Sequence, residues 1–249
     1  DYLELNATNL FTNSTPTIED GSAYFTPLLY AGSNSQQAIT GVGFTPDWFW
    51  IKNRTSASDH TVLDTVRGPG KLIYPSQTNV QDDSSAHNPS LDADGLTLGG
   101  PYTDINKASN NYVVWNWLAG GAPTATNSAG TGATPTAGSV KVDGSNHGSA
   151  LSGTLVVKEA SANTTSGFSI IQYTGNATAG ATFDHLLGQT PQMVILKPME
   201  EAEGWVVYHE GIGNTGGVFL NSSGGTSSGS HYFNNTSPTS SLFTVSGHI

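Results

Sequence analysis

The apolar residues of this chain fall in short runs, and the stretches between them are rich in Gly, Asn, Ser and Thr. Short apolar runs, either continuous or alternating with polar residues, are typical of β-strands, and Gly and Asn between them favour turns. No long stretch repeats apolar residues at the i, i+3, i+4, i+7 spacing of an amphipathic helix. The pattern therefore predicts an all-β protein.

Most of these runs are bounded by residues that favour turns, which indicates where each predicted strand ends. The run 47–52 holds four large apolar residues between Asp47 and Lys52, as in a strand that is buried on both faces. Alternation places Trp48 and Trp50 on one face of this strand. The other predicted strands are 2–5, 23–30 with Pro27 marking a bulge or an edge, 60–64, 71–74, 96–98, 112–118, 155–157, 168–173, 205–208 and 218–220, with a small hairpin over 140–144.

One motif occurs twice. Residues 41–52 read GVGFTPDWFWIK, and residues 186–197 read LLGQTPQMVILK. The shared Gly residues lie 188 − 43 = 145 positions apart, and the shared Lys residues lie 197 − 52 = 145 positions apart. Shorter matches flank the motif in the same order, and they pair 25–32 with 168–175, 72–74 with 218–220, and 96–98 with 243–245. Collinear matches of this kind indicate a tandem duplication.

Each half of the chain holds about six or more short strands at close spacing, the pattern of an antiparallel β-sandwich. We predict one β-sandwich over residues 1–119, called repeat 1, and a second over 151–249, called repeat 2. Residues 120–150 are predicted to be a Gly-, Ala- and Thr-rich linker that contains the small hairpin.

Repeat 2 ends before its last predicted strand. The counterpart of the strand 112–118 would begin near residue 259 (112 + 147), and the sequence ends at Ile249. We therefore expect a vacant strand position in repeat 2, with an exposed edge beside the strand 243–245. Residues beyond Ile249 or a strand from a neighbouring subunit would fill it. Since the chain begins at Asp1 without a methionine, we expect it to be processed or part of a longer polypeptide.

The charge balance narrows the range of partners. The chain has 8 Lys and Arg against 19 Asp and Glu, a formal charge of −11, and no visible basic patch. It would repel polyanions, so we expect no nucleic-acid binding. Charged residues make up only 11% of the chain, which predicts a neutral polar surface suited to an extracellular particle. Cysteine is absent, and no segment is apolar over the roughly 20 residues that a membrane-spanning helix needs.

Several segments resemble the tandem repeats of tailed-phage virion proteins, which occur in tail-fibre-like and appendage proteins of marine phages. In repeat 1 they are 45–54 (TPDWFWIKNR), 63–68 (LDTVRG), 94–99 (DGLTLG) and 112–120 (YVVWNWLAG); in repeat 2 they are 161–170 (SANTTSGFSI), 205–209 (WVVYH) and 236–241 (TSPTSS). The resemblance covers about residues 25–249 and implies concanavalin-like jelly-roll repeats without catalytic motifs. The chain departs from the pattern at Asn116, where relatives tend to have Cys, and at 198–201, where an Asn-Arg turn is usual.

Two acidic segments are candidates for chemistry. Glu200, Glu201 and Glu203 could suggest a glycosidase, but a glycosidase needs two carboxylates that face each other across a cleft, and these three lie in one loop. We expect a solvated loop there. Asp92 and Asp94 begin like a calcium loop without its later ligands, so a turn is the favoured interpretation.

Histidines and tryptophans supply the remaining candidates. His185, His209 and His231 have no metal-ligand spacing and no histidine counterparts in repeat 1, so we predict no metal and no other cofactor. The four tryptophans on the two most apolar strands could stack against sugars, although packing in the core is the favoured interpretation. They are Trp48, Trp50, Trp115 and Trp117.

Two functions from different classes remain. The first is a non-enzymatic structural protein of a phage virion, which forms a fibre or appendage as a homo-oligomer with other virion proteins and contributes to attachment at the host surface. The second is a glycan-binding receptor module on the same scaffold, with a glycosidase as a distant third. An exposed aromatic cluster beside Asn or Asp side chains in a loop-lined cleft would favour the second, whereas a large buried interface with no cleft would favour the first.

Overall fold

A computed structural model describes residues 18–83 and 89–247 of the chain. Within these residues the chain forms seventeen β-strands and no α-helix, and its helical content is a 3-10 turn at Gly21–Ala23. The described chain is thus all-β, as its apolar pattern predicts. The predicted strand at 2–5 lies outside the described residues. None of the described residues belongs to a helix long and apolar enough to span a membrane.

Seven strands belong to repeat 1 and ten follow it. The first seven are β1 (Phe25–Ala31), β2 (Gln37–Thr40), β3 (Trp48–Asn53), β4 (His60–Asp64), β5 (Ser90–Asp92), β6 (Gly95–Leu98) and β7 (Asn111–Trp117). The next five are β8 (Val140–Val142), β9 (Ser145–Asn146), β10 (Val156–Asn163), β11 (Phe168–Thr174) and β12 (Ala181–Asp184). The last five are β13 (Met193–Leu196), β14 (Val206–His209), β15 (Gly216–Phe219), β16 (Ser227–Ser228) and β17 (Leu242–Val245).

The described strands form small sheets with the orders β1-β7-β3-β4, β2-β6-β5, β11-β10-β8-β9, β12-β17 and β13-β14-β15-β16. These sheets are arranged in a ring that resembles a four-bladed β-propeller, so the prediction of two tandem concanavalin-like jelly-roll sandwiches is wrong. A jelly roll pairs eight strands in two larger sheets. Here each described strand is only two to eight residues long, because Gly- and Asn-rich turns interrupt the chain, and the sheets stay small.

The predictions of individual strands are more accurate than the prediction of how the sheets are arranged. Strand β3 has alternating burial, with Phe49 and Ile51 fully buried on one face and the two tryptophans half-buried on the other. Strand β1 lies at the edge of its sheet, where Pro27 costs no ladder hydrogen bond. The predicted strand at 71–74 is wrong, because this segment makes only isolated bridges to its neighbours.

The two repeats share strand registers, which supports the duplication. Trp50 pairs with Val62 between β3 and β4, and Ile195 pairs with Val207 between β13 and β14. Both members of the second pair lie 145 positions after those of the first. Trp50 and Ile195 therefore hold equivalent positions in equivalent strands, as the offset of the two Thr-Pro motifs predicts.

Each repeat has its own apolar cluster. The cluster of repeat 1 combines residues of the β1-β7-β3-β4 and β2-β6-β5 sheets, among them the fully buried Phe49 and Leu96. In repeat 2, Phe243 is the centre of an aromatic group in which its ring lies 5.7 Å from the rings of Phe183, Tyr208 and Phe233. Aromatic rings at such distances add to the stability gained from burial alone.

The segment 120–150 contributes to the sheet of repeat 2. Its predicted hairpin is present as β8 and β9, joined by Asp143 and Gly144, both with positive φ. Strand β8 also pairs in parallel with β10, and Val140 is buried in the cluster of repeat 2. The segment is therefore part of the packed structure rather than a free linker.

The two repeats are joined by aromatic side chains. The ring of Phe168, from repeat 2, stacks on Trp117 at 5.9 Å and contacts Trp48 edge-on at 6.2 Å. Trp205 is only 2% exposed, and its indole nitrogen donates to the carbonyl oxygens of Tyr74 (2.9 Å) and Gln77 (3.1 Å) in repeat 1. Repeat 2 thereby fixes a loop of repeat 1.

One ion pair is present among the described residues. The Nε atom of Arg67 lies 2.6 Å from Oδ2 of Asp64, and both side chains are buried. The guanidinium group also donates to the carbonyl oxygens of Lys71 (2.9 Å) and Val62 (3.2 Å). These bonds satisfy the buried charge and hold the turn after β4 in place.

Candidate functional site

A cleft of about 500 Å³ opens on the surface of repeat 1. It is formed by the loop before β4, the loop after β4 and the loop between β6 and β7. Its lining combines two aromatic rings with carboxylate and amide side chains. The lining residues are Asp59, Tyr74, Asn79, Val80, Gln81, Asp82, Tyr102 and Asp104.

The loop after β4 is anchored at both of its ends. Leu72 and Ile73 are buried, and they form bridges to Asp82 and Val62. The chain then turns back on itself, because the amide of Gln77 donates to the carbonyl oxygen of Tyr74 at 2.9 Å. Leu72 and Asp82 pair at the base of the loop, and Tyr74, Asn79, Val80 and Gln81 between them line the cleft.

The two tyrosines connect the acidic groups of the cleft. The hydroxyl of Tyr74 donates to Oδ2 of Asp82 at 2.8 Å, and its oxygen lies 2.8 Å from the hydroxyl oxygen of Tyr102. Tyr102 in turn hydrogen-bonds the carboxyl group of Asp104. The four side chains therefore form a chain of hydrogen bonds across the cleft.

Burial shifts the pKa of three of these groups. It raises the pKa of Asp104 above its ordinary value, although the hydrogen bonds from Tyr102 and from the backbone amide of Asp59 offset part of this effect. Burial also raises the pKa of both tyrosines, so their hydroxyls stay protonated.

Asp59 completes the rim. Its Oδ1 atom accepts hydrogen bonds from the hydroxyl of Ser76 (2.9 Å) and from the side-chain Nε2 of Gln77 (2.8 Å). Its backbone amide hydrogen-bonds the carboxyl group of Asp104. The rim of the cleft is thus held by bonds within the protein, which keeps the two tyrosine rings in position.

The chemistry of the cleft suits a polyhydroxylated ligand. Tyrosine rings stack on apolar faces of sugars, and carboxylate and amide groups accept or donate hydrogen bonds to hydroxyls. Among the described residues, no group of three or more His, Cys, Asp or Glu side chains could hold a metal ion. The cleft is therefore a candidate binding site for a neutral polar ligand.

The acidic candidates from the sequence lie elsewhere. Glu200, Glu201 and Glu203 are exposed, as expected for a solvated loop. Asp94 accepts hydrogen bonds from the amides of Gly41 (3.0 Å) and Gly43 (2.7 Å), and these bonds lower its pKa. Asp94 thus clamps the loop before the Thr-Pro motif, which confirms the turn interpretation.

The three histidines are not assembled into a site. His185 is buried, and its Nε2 lies 3.1 Å from the carbonyl oxygen of Thr239. Burial lowers the pKa of His185. His209 accepts a hydrogen bond from the amide of Gly211 at 3.1 Å. Each of these two rings has a local structural role.

The tryptophans of β3 and β7 are half-buried, and three of the four make contacts within the protein. Trp48 and Trp117 pack against Phe168 of repeat 2. The indole nitrogen of Trp50 donates to Nδ1 of His60 at 2.9 Å. These rings serve packing between and within the repeats, which is the interpretation that the sequence favoured.

Sequence reasoning missed the cleft because most of its residues lie in segments interpreted as polar loops, and because Tyr74 was assigned to the predicted strand 71–74. Tyr74 precedes Pro75, and Tyr102 follows Pro101. An aromatic residue next to proline is a signal that could have drawn attention to both positions. Loops carry binding residues more often than strands do.

Fold and cleft define a duplicated all-β protein with a polar, aromatic cleft on its first repeat. Residues 20–249 match a family described as a domain of unknown function, DUF7483. Because the match spans most of the chain, the chain belongs to this family. No curated protein and no solved structure matches the chain.

Proposed function

We propose that this chain is a non-enzymatic structural protein of a phage virion, which forms part of a fibre or appendage and contributes to attachment at the host surface. The duplicated Thr-Pro motif carries the proposal, because this motif and its flanking segments resemble virion repeats. The aromatic contacts between Trp48, Trp117 and Phe168 support it, since they join both repeats into one unit. The low content of charged residues, 11%, fits a particle surface that resists nonspecific adhesion.

Immunogold electron microscopy tests the location. Antibodies raised against the recombinant chain are applied to particles from cells that carry its gene. We expect gold label on a fibre or appendage of each particle, at a spacing set by its oligomeric assembly. Label confined to cell envelopes or to the soluble fraction, with none on particles, would contradict the proposal.

A second candidate function is glycan binding at the cleft of repeat 1. The observation that favours it is the pair Tyr74 and Tyr102 beside Asp59, Asp82 and Asp104 in a loop-lined cleft. Such a combination of rings and hydrogen-bonding groups is what a lectin-like site needs. Binding here would also be compatible with a role in attachment.

A glycan array with three proteins tests this second function. The wild-type chain should bind a restricted set of glycans, and Tyr102→Ala should lose at least about tenfold in affinity, since ring stacking is removed. Tyr24→Ala, at a tyrosine outside the cleft, is the matched control and should bind like wild type. Equal binding by Tyr102→Ala and wild type would exclude the cleft.

The proposed function excludes glycan hydrolysis, which can be tested directly. The raised pKa of Asp104 beside two other carboxyl groups is the one feature that a glycosidase would share. Glycans that bind the array are therefore incubated with the wild-type chain and with Asp104→Asn. We expect no new reducing ends with either protein. Release of product by wild type alone would overturn the non-enzymatic assignment.

A further inference from the structure

Lys52 and Lys197 end the two copies of the Thr-Pro motif, at equivalent positions (197 − 52 = 145). Lys52 lies in β3, Lys197 directly follows β13, and both side chains are half-buried. Among the described residues neither lysine forms an ion pair, since the one pair there joins Arg67 and Asp64. Each ammonium group instead donates to backbone carbonyl oxygens of loops.

Lys52 holds the wall of the cleft that precedes β4. Its Nζ atom donates to the carbonyl oxygen of Ser58. The N–H of the same peptide unit belongs to Asp59 and hydrogen-bonds the carboxyl group of Asp104. Both polar atoms of the peptide unit 58–59 are therefore bonded, and this unit carries Asp59, which lines the cleft.

Lys197 reaches a second wall of the cleft from repeat 2. Its Nζ atom donates to the carbonyl oxygens of Pro198 (2.7 Å), Glu201 (3.2 Å) and Thr78 (3.4 Å). A lysine ammonium group has three N–H donors, so these three carbonyls account for all of them. Thr78 belongs to repeat 1, and the next residue, Asn79, lines the cleft. Lys197 therefore ties a turn of repeat 2 to a wall of the cleft.

The end of the loop after β4 depends on this connection. We call residues 78–81 the cleft tip, and three of these four residues line the cleft. Within the described parts of the chain, the backbone of the cleft tip makes two hydrogen bonds, and both go to repeat 2. One is the bond from Lys197 to Thr78; in the other, the amide of Gln81 donates to the carbonyl oxygen of Met199 at 2.9 Å.

Lys197 also orders the partner of the cleft tip. Its bonds to Pro198 and Glu201 span the turn that presents the carbonyl oxygen of Met199. Without these bonds the turn could change shape, and the bond from Gln81 to Met199 would weaken with it. A single ammonium group thus supports both backbone bonds of the cleft tip.

We propose that Lys52 and Lys197 are positioning residues of the cleft, and that repeat 2, through Lys197, sets the affinity of a binding site in repeat 1. The proposal rests on glycan binding at the cleft, the second candidate function. A binding loop that is already ordered loses less conformational freedom when a ligand binds, which raises affinity. The duplication accounts for the arrangement, because each copy of the motif ends in a lysine that holds one wall.

Hydrogen exchange of three variants of the full chain, without ligand, tests the positions of the walls. Lys197→Met and Lys52→Met keep the apolar stem and remove the ammonium group. Lys158→Met is the control, because Lys158 does not line the cleft and its side chain makes no hydrogen bond among the described residues. The amide of Gln81 should exchange at least about fivefold faster in Lys197→Met alone, and that of Asp59 at least about fivefold faster in Lys52→Met alone.

Glycans that bind the wild-type chain are then titrated against each variant. Lys197→Met and Lys52→Met should bind about three- to tenfold more weakly, the effect of one hydrogen bond, and Lys158→Met should bind like wild type. The melting temperature of Lys197→Met should stay within about 2 °C of wild type, because Thr78 and Glu201 are exposed and water can replace the ammonium group at their carbonyls. Lower affinity at unchanged stability distinguishes positioning from general destabilisation.

Failure of this proposal differs from failure of the glycan function. If no glycan binds the wild-type chain, the second candidate function is wrong, and the exchange rates alone decide the role of the lysines. If Lys197→Met binds glycans as tightly as wild type, or if Gln81 exchanges equally fast in Lys197→Met and Lys158→Met, the positioning role is overturned. Equal acceleration of Gln81 and Asp59 in both lysine variants of the motif would also overturn it, because general destabilisation gives that pattern.

Discussion

Trp205 offers the sharpest test of how the repeats are joined. The substitution Trp205→Phe keeps most of the apolar ring but removes the indole nitrogen, which donates to the carbonyl oxygens of Tyr74 and Gln77. The carbonyl of Tyr74 retains the amide of Gln77 as a donor, so the carbonyl of Gln77 loses more. Gln77 is exposed, so water can replace the lost donor, and the loss of this hydrogen bond costs about 0.5–1.5 kcal/mol.

The smaller ring adds a second cost. Trp205 is 2% exposed, so truncation leaves a cavity between the repeats, and modest cavities in cores cost about 1 kcal/mol or somewhat more. Together the two effects should lower the free energy of unfolding by about 1.5–3 kcal/mol. The affected carbonyls belong to the loop that lines the cleft, so we also expect faster hydrogen exchange in residues 74–82.

Guanidinium chloride unfolding, followed by circular dichroism, measures the change. Trp115→Phe is the matched control, because Trp115 is half-buried and its indole nitrogen has no hydrogen-bond partner among the described residues. This control should lose less than half as much stability as Trp205→Phe. Equal losses for the two variants, or a loss below about 0.5 kcal/mol for Trp205→Phe, would refute the reasoning, since surface changes typically stay within that range.

Three further predictions concern single features. Backbone hydrogen bonds lower the pKa of Asp94 in the folded chain. Their contribution to stability is therefore complete above the pKa of an unfolded Asp, about 3.9, and it is lost as the pH falls through the lower pKa of the folded state. Asp94→Asn should therefore lower the melting temperature at pH 7, and its difference from wild type should shrink below about pH 4; a constant difference down to pH 2 would contradict this. Gly95 has a φ of +146°, and an added Cβ would lie 1.9 Å from the carbonyl oxygen of Ile39. Gly95→Ala should cost roughly 1–3 kcal/mol in urea unfolding, whereas Gly100→Ala, which meets no atom within 4 Å, should cost far less, and similar losses would rule out the clash. EDTA should leave the melting temperature unchanged in differential scanning fluorimetry, and a fall of several degrees would reveal a structural metal.

Strands could be predicted from the sequence because each depends on its own local pattern. The alternation around Phe49 and Ile51 predicts β3, and the repeated Thr-Pro motif predicts the equivalence of Trp50 with Ile195. The arrangement of sheets is different, because it depends on contacts between distant residues. Thr26 pairs with Asn116 across most of repeat 1, and no local pattern encodes that choice.

The cleft escaped prediction for a related reason. Tyr74 and Tyr102 are separated by 28 positions and meet only because their loops fold towards each other. The segment 71–74 illustrates the same limit, because its apolar residues look like a strand. Tertiary packing uses Leu72 and Ile73 as buried anchors of a loop instead.

The buried pair of Arg67 and Asp64 has a consequence for the solvent in which this protein can work. Dissolved ions screen exposed charges over about 10 Å at 0.1 M salt, but they reach a buried pair poorly. With this single ion pair among the described residues and 11% charged residues in the whole chain, little of the fold depends on ionic attraction at the surface. The buried pair should therefore persist in brine as it does in fresh water. Added salt should act mainly by screening the repulsion among the excess carboxylates of a chain whose formal charge is −11.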